Sequence, residues 1–517
     1  MLPFFLLGMA ELVLRACKIG YNTQLFIPAA DERFYVMNPN VSAKYFTIGE
    51  NATIGNQDIF FRKKPLGTLR FFVLGASSSL GFPYMYNGCF ARMLKYRLQF
   101  TYPHTNIEII NLSLTAINSY TLYDFSRQLI DYEPDGVLVY AGQNEFYGAL
   151  GVASSSKFAR NVYVTRLMMA AKEFRLVQLL NIIVKKLHGT RDELINKDHT
   201  LMERMADRKL VPYNSQLYED GIVQFRTNME DMISLFCQHR VPVFIGTLVS
   251  NLKDQEPFAH SDSDSLNAWK EYTLGDSWLV KKNYKKAREH FEMAKEYDKL
   301  RFRAPSVFNG IIQWLAHKYP NVYVVDVEKA FKKKSVGGII GNELLLEHVH
   351  PNLAGHRIMA DNYFEIIKDN YLDKQSVGEK VFDLKKEDYP YTAFDTICGD
   401  ISIRQLRQQW PFNETPQVIK TDTNTIEYKM AQKYKRREIN WGQAMQRLNN
   451  KYIQREDYKN ALRVIEQMCL DVPYEIMFVS QAARLSGLLD LQEKARFYSN
   501  KEIELMQLLD TPTYNGK

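Results

Sequence analysis

The chain has 517 residues, enough for two or three domains, each with a buried core. Its 46% hydrophobic and 24% charged residues are those of an ordinary globular protein. The net charge is only +7 with basic and acidic residues interspersed. Short runs such as Lys332-Lys333-Lys334 and Lys435-Arg436-Arg437 therefore read as solvated helix faces, and nucleic acid is not expected as a partner. The five isolated cysteines (Cys17, Cys89, Cys237, Cys398, Cys469) point neither to a structural metal nor to a disulfide framework.

Residues 2 to 9 are apolar, and the run continues through Leu12, Val13 and Leu14, interrupted by Glu11 and Arg15. A secretory signal or anchor normally carries a basic flank and a longer apolar span. Residues 1–30 are therefore expected to be a truncated signal-anchor or membrane-proximal helix, with a buried amphipathic helix as the alternative. Arg15 argues against lipidation at Cys17. No later segment is apolar enough to cross a bilayer, so membrane contact is expected at this end, followed by an N-terminal extension over 31–67.

From 68 to 369, short β-branched or aromatic runs alternate with amphipathic stretches. Arg70–Leu74, Ile107–Asn111, Gly136–Tyr140, Val241–Thr247 and Val322–Val327 read as buried strands. The helical patterns between them imply right-handed βαβ crossovers and a parallel sheet. Ligands of such sheets bind beyond the carboxyl ends of the strands, so chemistry is expected just after each run. A helical insertion is expected over 150–235. A second, over 268–301, matches one tetratricopeptide unit through Gly275, Trp278, Tyr284, Ala287, Phe291 and Ala294. Residues 370–441 read as a connector. Residues 442–517 read as a tetratricopeptide-like helical domain, with Tyr452, Tyr458, Ala461 and Pro473 in register and Ala495 one period after Ala461. These units serve either as docking surfaces for protein or glycan or as a structural cap.

The first strand runs into Gly75-Ala76-Ser77-Ser78-Ser79-Leu80-Gly81. A serine in a small-residue turn at a sheet's carboxyl edge is well set for nucleophilic attack, its own N–H helping to hold the resulting oxyanion. Spacing to Gly81 favours Ser77 over Ser78 and Ser79. The second strand ends in Asn111-Leu112-Ser113-Leu114-Thr115-Ala116 and the third in Ala141-Gly142-Gln143-Asn144-Glu145-Phe146. The Asn144 carboxamide could donate to developing negative charge or simply cap its loop. After the fifth strand comes Glu347-His348-Val349-His350-Pro351. A carboxylate three residues before a histidine can hold one imidazole nitrogen and leave the other as base. His348 and His350 could instead bind a metal, but no third nitrogen or sulfur ligand is evident nearby, and none is expected. The literal Gly275-Asp276-Ser277 triplet follows no strand and reads as structural. Arg301 and Arg303 are candidates for binding an acidic substrate group, with ordinary surface arginine as the alternative.

Four ordered blocks at strand ends make the chain resemble the SGNH (GDSL-like) hydrolase superfamily over 68–365. They are Gly75-Ala76-Ser77, Asn111 to Ala116, Gly142-Gln143-Asn144-Glu145 and Glu347-x-x-His350-Pro351. The phrases GFPY (Gly81 to Tyr84), NEF (Asn144 to Phe146), EHVHP (Glu347 to Pro351) and WPFN (Trp410 to Asn413) further resemble a bacterial subgroup carrying tetratricopeptide-like repeats. The resemblance implies a flavodoxin-like three-layer α/β domain with a five-stranded parallel sheet. It implies a catalytic triad of Ser77, His350 and Glu347, and an oxyanion hole from the Ser77 and Ala116 backbone N–H groups and the Asn144 side chain, without a cofactor. Ala76 and Ala116 depart from the family's aspartate and glycine, and Glu347 from its aspartate; the Ala116 methyl narrows the pocket toward a small acyl group such as acetyl. The activity implied is removal of O-acyl groups from an envelope or exported carbohydrate. The alternatives are an O-acyltransferase acting on a glycan and a non-catalytic tetratricopeptide scaffold that recruits a protein partner. The expected location is the bacterial cell envelope, on its extracytoplasmic face, anchored through the N-terminus.

Overall fold

Five runs rich in valine, isoleucine and phenylalanine form the central strands: β1 (Leu69–Gly75), β2 (Ile107–Asn111), β3 (Gly136–Tyr140), β4 (Val243–Gly246) and β5 (Val322–Val325). They pair in parallel in the order β2-β1-β3-β4-β5. Two strands are shorter than their apolar runs, for local reasons. Pro242 has no N–H to give the ladder, so β4 starts at Val243. Beyond β5, the Asp326 carboxylate accepts the Lys329 N–H and turns the chain into a helix.

The computed structural model describes residues 2–46, 51–84, 86–154, 161–187, 200–206, 209–259, 266–375, 389–416 and 422–510. Parts of the expected 150–235 insertion (155–160, 188–199, 207–208), parts of the 370–441 connector (376–388, 417–421) and residues 511–517 lie outside the described residues.

Helix α1 (Leu2–Ala16) precedes the sheet; α2 (Ser77–Leu80) and α3 (Phe90–Thr101) follow β1, and α4 (Ser119–Leu129) follows β2. After β3 come α5 (Val162–Ala171), α6 (Arg175–Leu187), α7 (Leu201–Ala206) and α8 (Gln216–Gln238). After β4 come α9 (Ala268–Val280), α10 (Tyr284–Tyr297) and α11 (Ser306–Lys318), and after β5 come α12 (Val327–Lys334) and α13 (Leu353–Ile367). The chain continues with α14 (Ala393–Arg407), α15 (Ile426–Lys435), α16 (Trp441–Gln454), α17 (Tyr458–Asp471), α18 (Ile476–Leu488) and α19 (Gln492–Asp510). Two groups of helices pack among themselves, as right-handed crossovers on opposite faces require: α3 with α13, and α4 with α8, which also packs on α11. Phe90 stacks on Tyr363 in the first group and Phe225 on Phe308 in the second.

The expected boundary at residue 30 cuts through paired backbone. Phe26–Pro28 pairs antiparallel with Phe34–Met37, which pairs with Phe60–Phe61. Phe26 and Phe60 then pack on Phe72 of β1, so the N-terminal extension shares the core of the sheet. The Glu11 carboxylate of α1 accepts the Arg175 and Leu176 N–H groups at the start of α6, which ties the two helices together. Among the described residues, no helix is long and apolar enough to cross a membrane.

Residues 268–301 form the helical hairpin α9–α10. Gly275 of the literal Gly-Asp-Ser triplet sits inside α9, where a Cβ would lie 2.8 Å from the Phe291 ring, so the glycine permits the close approach. The last four helices each pack on the next, and α17 packs on α3. Tyr96 of α3 donates to Glu466 at 3.0 Å, Lys95 donates to the Leu470 carbonyl at 3.0 Å, and Arg92 reaches Asp471 at 2.9 Å. Tyr474 lies against Phe34 and Phe61 and donates to Glu108 at 2.7 Å. The C-terminal helices are thus bound to the sheet domain by buried polar and aromatic contacts.

Candidate active site

Three loops at the carboxyl ends of β1, β2 and β3, joined by the loop before α13, meet at one cavity of about 330 Å³. The tight turn after β1 needs Gly75, because a Cβ there would lie 2.2 Å from Ser79 Oγ and 2.5 Å from the Tyr140 carbonyl oxygen. Ser79 is fully buried and donates to that carbonyl at 2.7 Å, and Ser78 is buried and directed at the Val349 carbonyl. Ser77 alone of the three lines the cavity. Its N–H stands at the first position of α2, where no helical carbonyl can take it.

Ser77 Oγ lies 2.8 Å from His350 Nε2, and His350 Nδ1 lies 2.5 Å from Glu347 Oε1. The same carboxylate oxygen accepts the His350 backbone N–H at 2.8 Å, which closes the loop around the ring. With its Nδ1 proton on Glu347, the imidazole presents a bare Nε2 to the serine hydroxyl. The loop is held on both sides: Leu346 N–H donates to the His350 carbonyl, and the Asn352 side chain caps α13 by accepting the Gly355 N–H. Phe82 covers one face of the His350 ring at 4.8 Å between centroids. Burial pushes the His350 imidazole down to about 3, so it is neutral at neutral pH.

Sequence reasoning missed the second imidazole on Glu347. His348 Nδ1 takes the other carboxylate oxygen, Oε2, and its ring is enclosed by Phe258, Phe302 and Phe412. Glu347, His348 and His350 also offer one potential metal-ligand atom each within 4.8 Å of one another. The third ligand sought among nitrogen and sulfur atoms is therefore an oxygen. A metal held by the two Nδ1 atoms would have to break both carboxylate–imidazole contacts.

Ala116 and Asn144 line the cavity with Ser77. Ala116 adopts φ +58°, a left-handed conformation that normally favours glycine. The alanine thus keeps the backbone shape that a glycine would adopt freely. Gly142, at φ +154°, lets the following loop pass Leu248, which a Cβ would approach to 2.4 Å. Beneath Asn144, the wholly buried Glu145 accepts from the Ser119 hydroxyl at 2.6 Å, the Ser119 N–H at 3.1 Å and Gln224 Nε2 at 2.5 Å. Burial pushes the Glu145 carboxyl up to about 7.

Arg301 and Arg303 are not at the cavity, which corrects the expectation of a substrate contact. Arg301 is buried, donates to the Val211 carbonyl at 2.8 Å and lies over the Tyr218 ring. Arg303 is buried on the Asn251 and Gln255 carbonyls and on Asp298. Their carbonyl partners lie far away in sequence, so the arginine pair alone could not reveal them.

The 370–441 segment is more than a connector. Ser402, Gln405 and Leu406 of α14, with Gln409 just beyond it, line the cavity opposite the catalytic loops. The capping box of Thr392 and Asp395 marks the start of this helix in the sequence. Nothing local marks where the helix docks. Leu201, Met202 and Met205 of α7 form the adjoining wall, and Thr200 donates to the Trp410 carbonyl at 3.3 Å, joining the two pieces.

No protein-family model matches the chain. No curated protein matches it. Among solved structures, the chain is similar to Axe2, an acetylxylan esterase from Geobacillus stearothermophilus, at 13% identity and a TM-score of 0.30, covering 58% of this chain and 94% of that one. It is similar to TesA at 12% identity and a TM-score of 0.28, covering 58% of this chain and 98% of the other. It is also similar to the acetyl xylan esterase AlAXEase at 14% identity and a TM-score of 0.31, covering 57% and 98%. Likenesses this slight assign no residue and no substrate to the chain.

Proposed function

We propose that the protein is a serine-dependent ester hydrolase of the SGNH type that removes O-acyl groups from an envelope or exported carbohydrate. One observation carries this reading: Ser77 Oγ, the bare Nε2 of His350 and the Glu347 carboxylate stand in one hydrogen-bonded line, with Ser77 and His350 lining a cavity. Ser77 attacks the ester carbonyl as His350 takes its proton. The oxyanion is held by the Ser77 and Ala116 N–H groups and the Asn144 amide, each such donor typically worth about 3–4 kcal/mol of barrier. Glu347 stabilises the imidazolium as it forms. Collapse expels the alcohol, which takes the proton from Nε2, and water releases the acyl group by the same steps. The hydroxyl and amides of Ser402, Gln405 and Gln409 on one wall suit a polyol leaving group.

A Ser77→Ala variant is expected to lose p-nitrophenyl ester hydrolysis by at least ~10³-fold and to escape labelling by a fluorophosphonate. A variant as active as the parent would remove the reading.

The envelope location is part of the same proposal. Leu2 and Phe4 of α1 are 70% and 80% exposed, and Leu180, Ile182 and Ile183 of the neighbouring α6 are exposed beside them. The exposed Arg15 and Lys18 follow on α1's carboxyl end, a pattern suited to an anionic membrane surface. Co-sedimentation with anionic vesicles is expected for the parent and lost in a Phe4→Asp/Phe5→Asp variant.

A further inference from the structure

The wall formed by α7 and α14 gives the cavity a character that the catalytic loops alone do not have. Ser77 and His350 are part of its lining. Much of the rest of the lining is apolar, with Leu201, Met202 and Met205 on α7, Leu406 on α14, and Phe302. At about 330 Å³, the space falls within the range of pockets that hold whole small-molecule ligands, and an acetyl group would fill a small part of it. Two methionines on one short helix suit a flexible chain, because their side chains adapt to irregular apolar shapes. The polar groups of the same cavity come from the catalytic loops, Thr200, and α14 with Gln409 just beyond it, where Gln405 and Gln409 are exposed.

The wall is also fixed in place. Arg204 of α7 donates to Asn51 at 2.7 Å, and Thr200 donates to the Trp410 carbonyl beyond α14. Asp395, near the start of α14, accepts from Gln467 of α17. The C-terminal helices therefore act on the site through α14: they hold the helix that closes the cavity.

We infer that the cavity binds a medium-length apolar acyl chain, with the carbonyl at Ser77, the alkyl tail between α7 and α14, and the alcohol portion leaving past Gln405 and Gln409. This rests on the ester-hydrolase reading for its chemistry, but not for its binding. It replaces the acetyl group that the Ala116 methyl alone suggests.

The test combines turnover with binding. Across p-nitrophenyl acetate, butyrate, octanoate and dodecanoate, kcat/KM is expected to be about tenfold or more higher for octanoate than for acetate, since each buried methylene adds binding energy. Leu406→Trp and Met202→Trp should each bring that ratio below one by filling the tail's space. Separately, titration calorimetry with the Ser77→Ala protein should detect octanamide and not acetamide. Octanamide binding without hydrolysis of any ester would overturn the hydrolase reading and leave the chain pocket standing. Equal turnover of acetate and octanoate, with no octanamide binding, would overturn the chain pocket and leave the hydrolase standing.

Discussion

Glu145 and Ser119 meet twice, once through the serine hydroxyl at 2.6 Å and once through its backbone N–H at 3.1 Å, with neither group open to solvent. This pair ties the loop that carries Asn144 to the first turn of α4. Gln224 adds a third donor from α8, and Asn228 of α8 donates to the Ser119 hydroxyl at 2.8 Å. The lower side of the proposed oxyanion site is therefore a closed polar network within the α/β core.

Removing the carboxylate should loosen that loop and destabilise the fold. Glu145→Ala leaves the Ser119 N–H and O–H buried without their acceptors, while Gln224 keeps only the residue-145 backbone carbonyl, at a cost of about 3 kcal/mol. Urea denaturation should report that loss. Below the unfolding transition, kcat should fall while KM changes little, because the loop positions Asn144. Unchanged stability would mean that the network contributes nothing to the fold.

Glu347 bears on the reaction in a different way. In Glu347→Gln the side-chain oxygen can still accept one imidazole N–H, but the amide NH2 confronts the other. His350 can then turn its proton toward Ser77, the wrong tautomer for a base. kcat should fall by about 10³- to 10⁴-fold with KM nearly unchanged. Because the parent chemistry uses the carboxylate through hydrogen bonds, a chelator should leave parent activity intact. Loss of activity on chelation, restored by a divalent cation, would instead make Glu347, His348 and His350 ligands.

Much of this site is legible in the sequence because it lies where apolar runs end. Gly75 and Asn111 close buried strands, Gly142 and the Glu347-to-Pro351 segment lie beyond them, and all five runs differ from the observed strands by no more than two residues at either end. What the sequence does not reveal depends on tertiary docking. Leu406 is one apolar residue on an amphipathic helix, and its direction toward Ser77 is set by Asp395 meeting Gln467 and by Thr200 meeting Trp410. His348 read only as a possible metal ligand because the carboxylate oxygen it uses belongs to its own neighbour. Arg301 and Arg303 looked available because their carbonyl partners lie in distant loops.

Acid should weaken the fold through three histidines. His348, His350 and His356 are buried, and burial lowers all three, His350 and His356 to about 3. The unfolded chain takes up these protons near pH 6.5, and the folded chain only well below that, near 3 for His350 and His356. Their contribution is therefore complete above pH 6.5 and is lost as pH falls from there toward 3. Each group costs about 1.4 kcal/mol per pH unit in that window. Denaturant midpoints should drop steadily from pH 7 to pH 4. The slope should lessen in His356→Asn, whose Oδ1 can take over the Phe90 N–H that His356 Nδ1 accepts at 3.3 Å.

The final prediction concerns the C-terminal helices as a clamp. Glu466 of α17 accepts from Tyr96 of α3 at 3.0 Å, Lys494 at 2.9 Å and Tyr498 at 3.1 Å, all buried. Glu466→Ala takes the carboxylate from the buried Lys494 ammonium and leaves it, among the described residues, the Tyr96 hydroxyl as hydrogen-bond partner, at a cost of about 3–5 kcal/mol. α17 also holds Asp395 of α14 through Gln467, so the damage should reach the cavity wall. Octanoate ester turnover should therefore decline at a lower temperature than in the parent, in step with loss of helical signal from the whole chain. If the C-terminal helices instead melted first while octanoate turnover persisted, α14 would be holding the cavity shut without them.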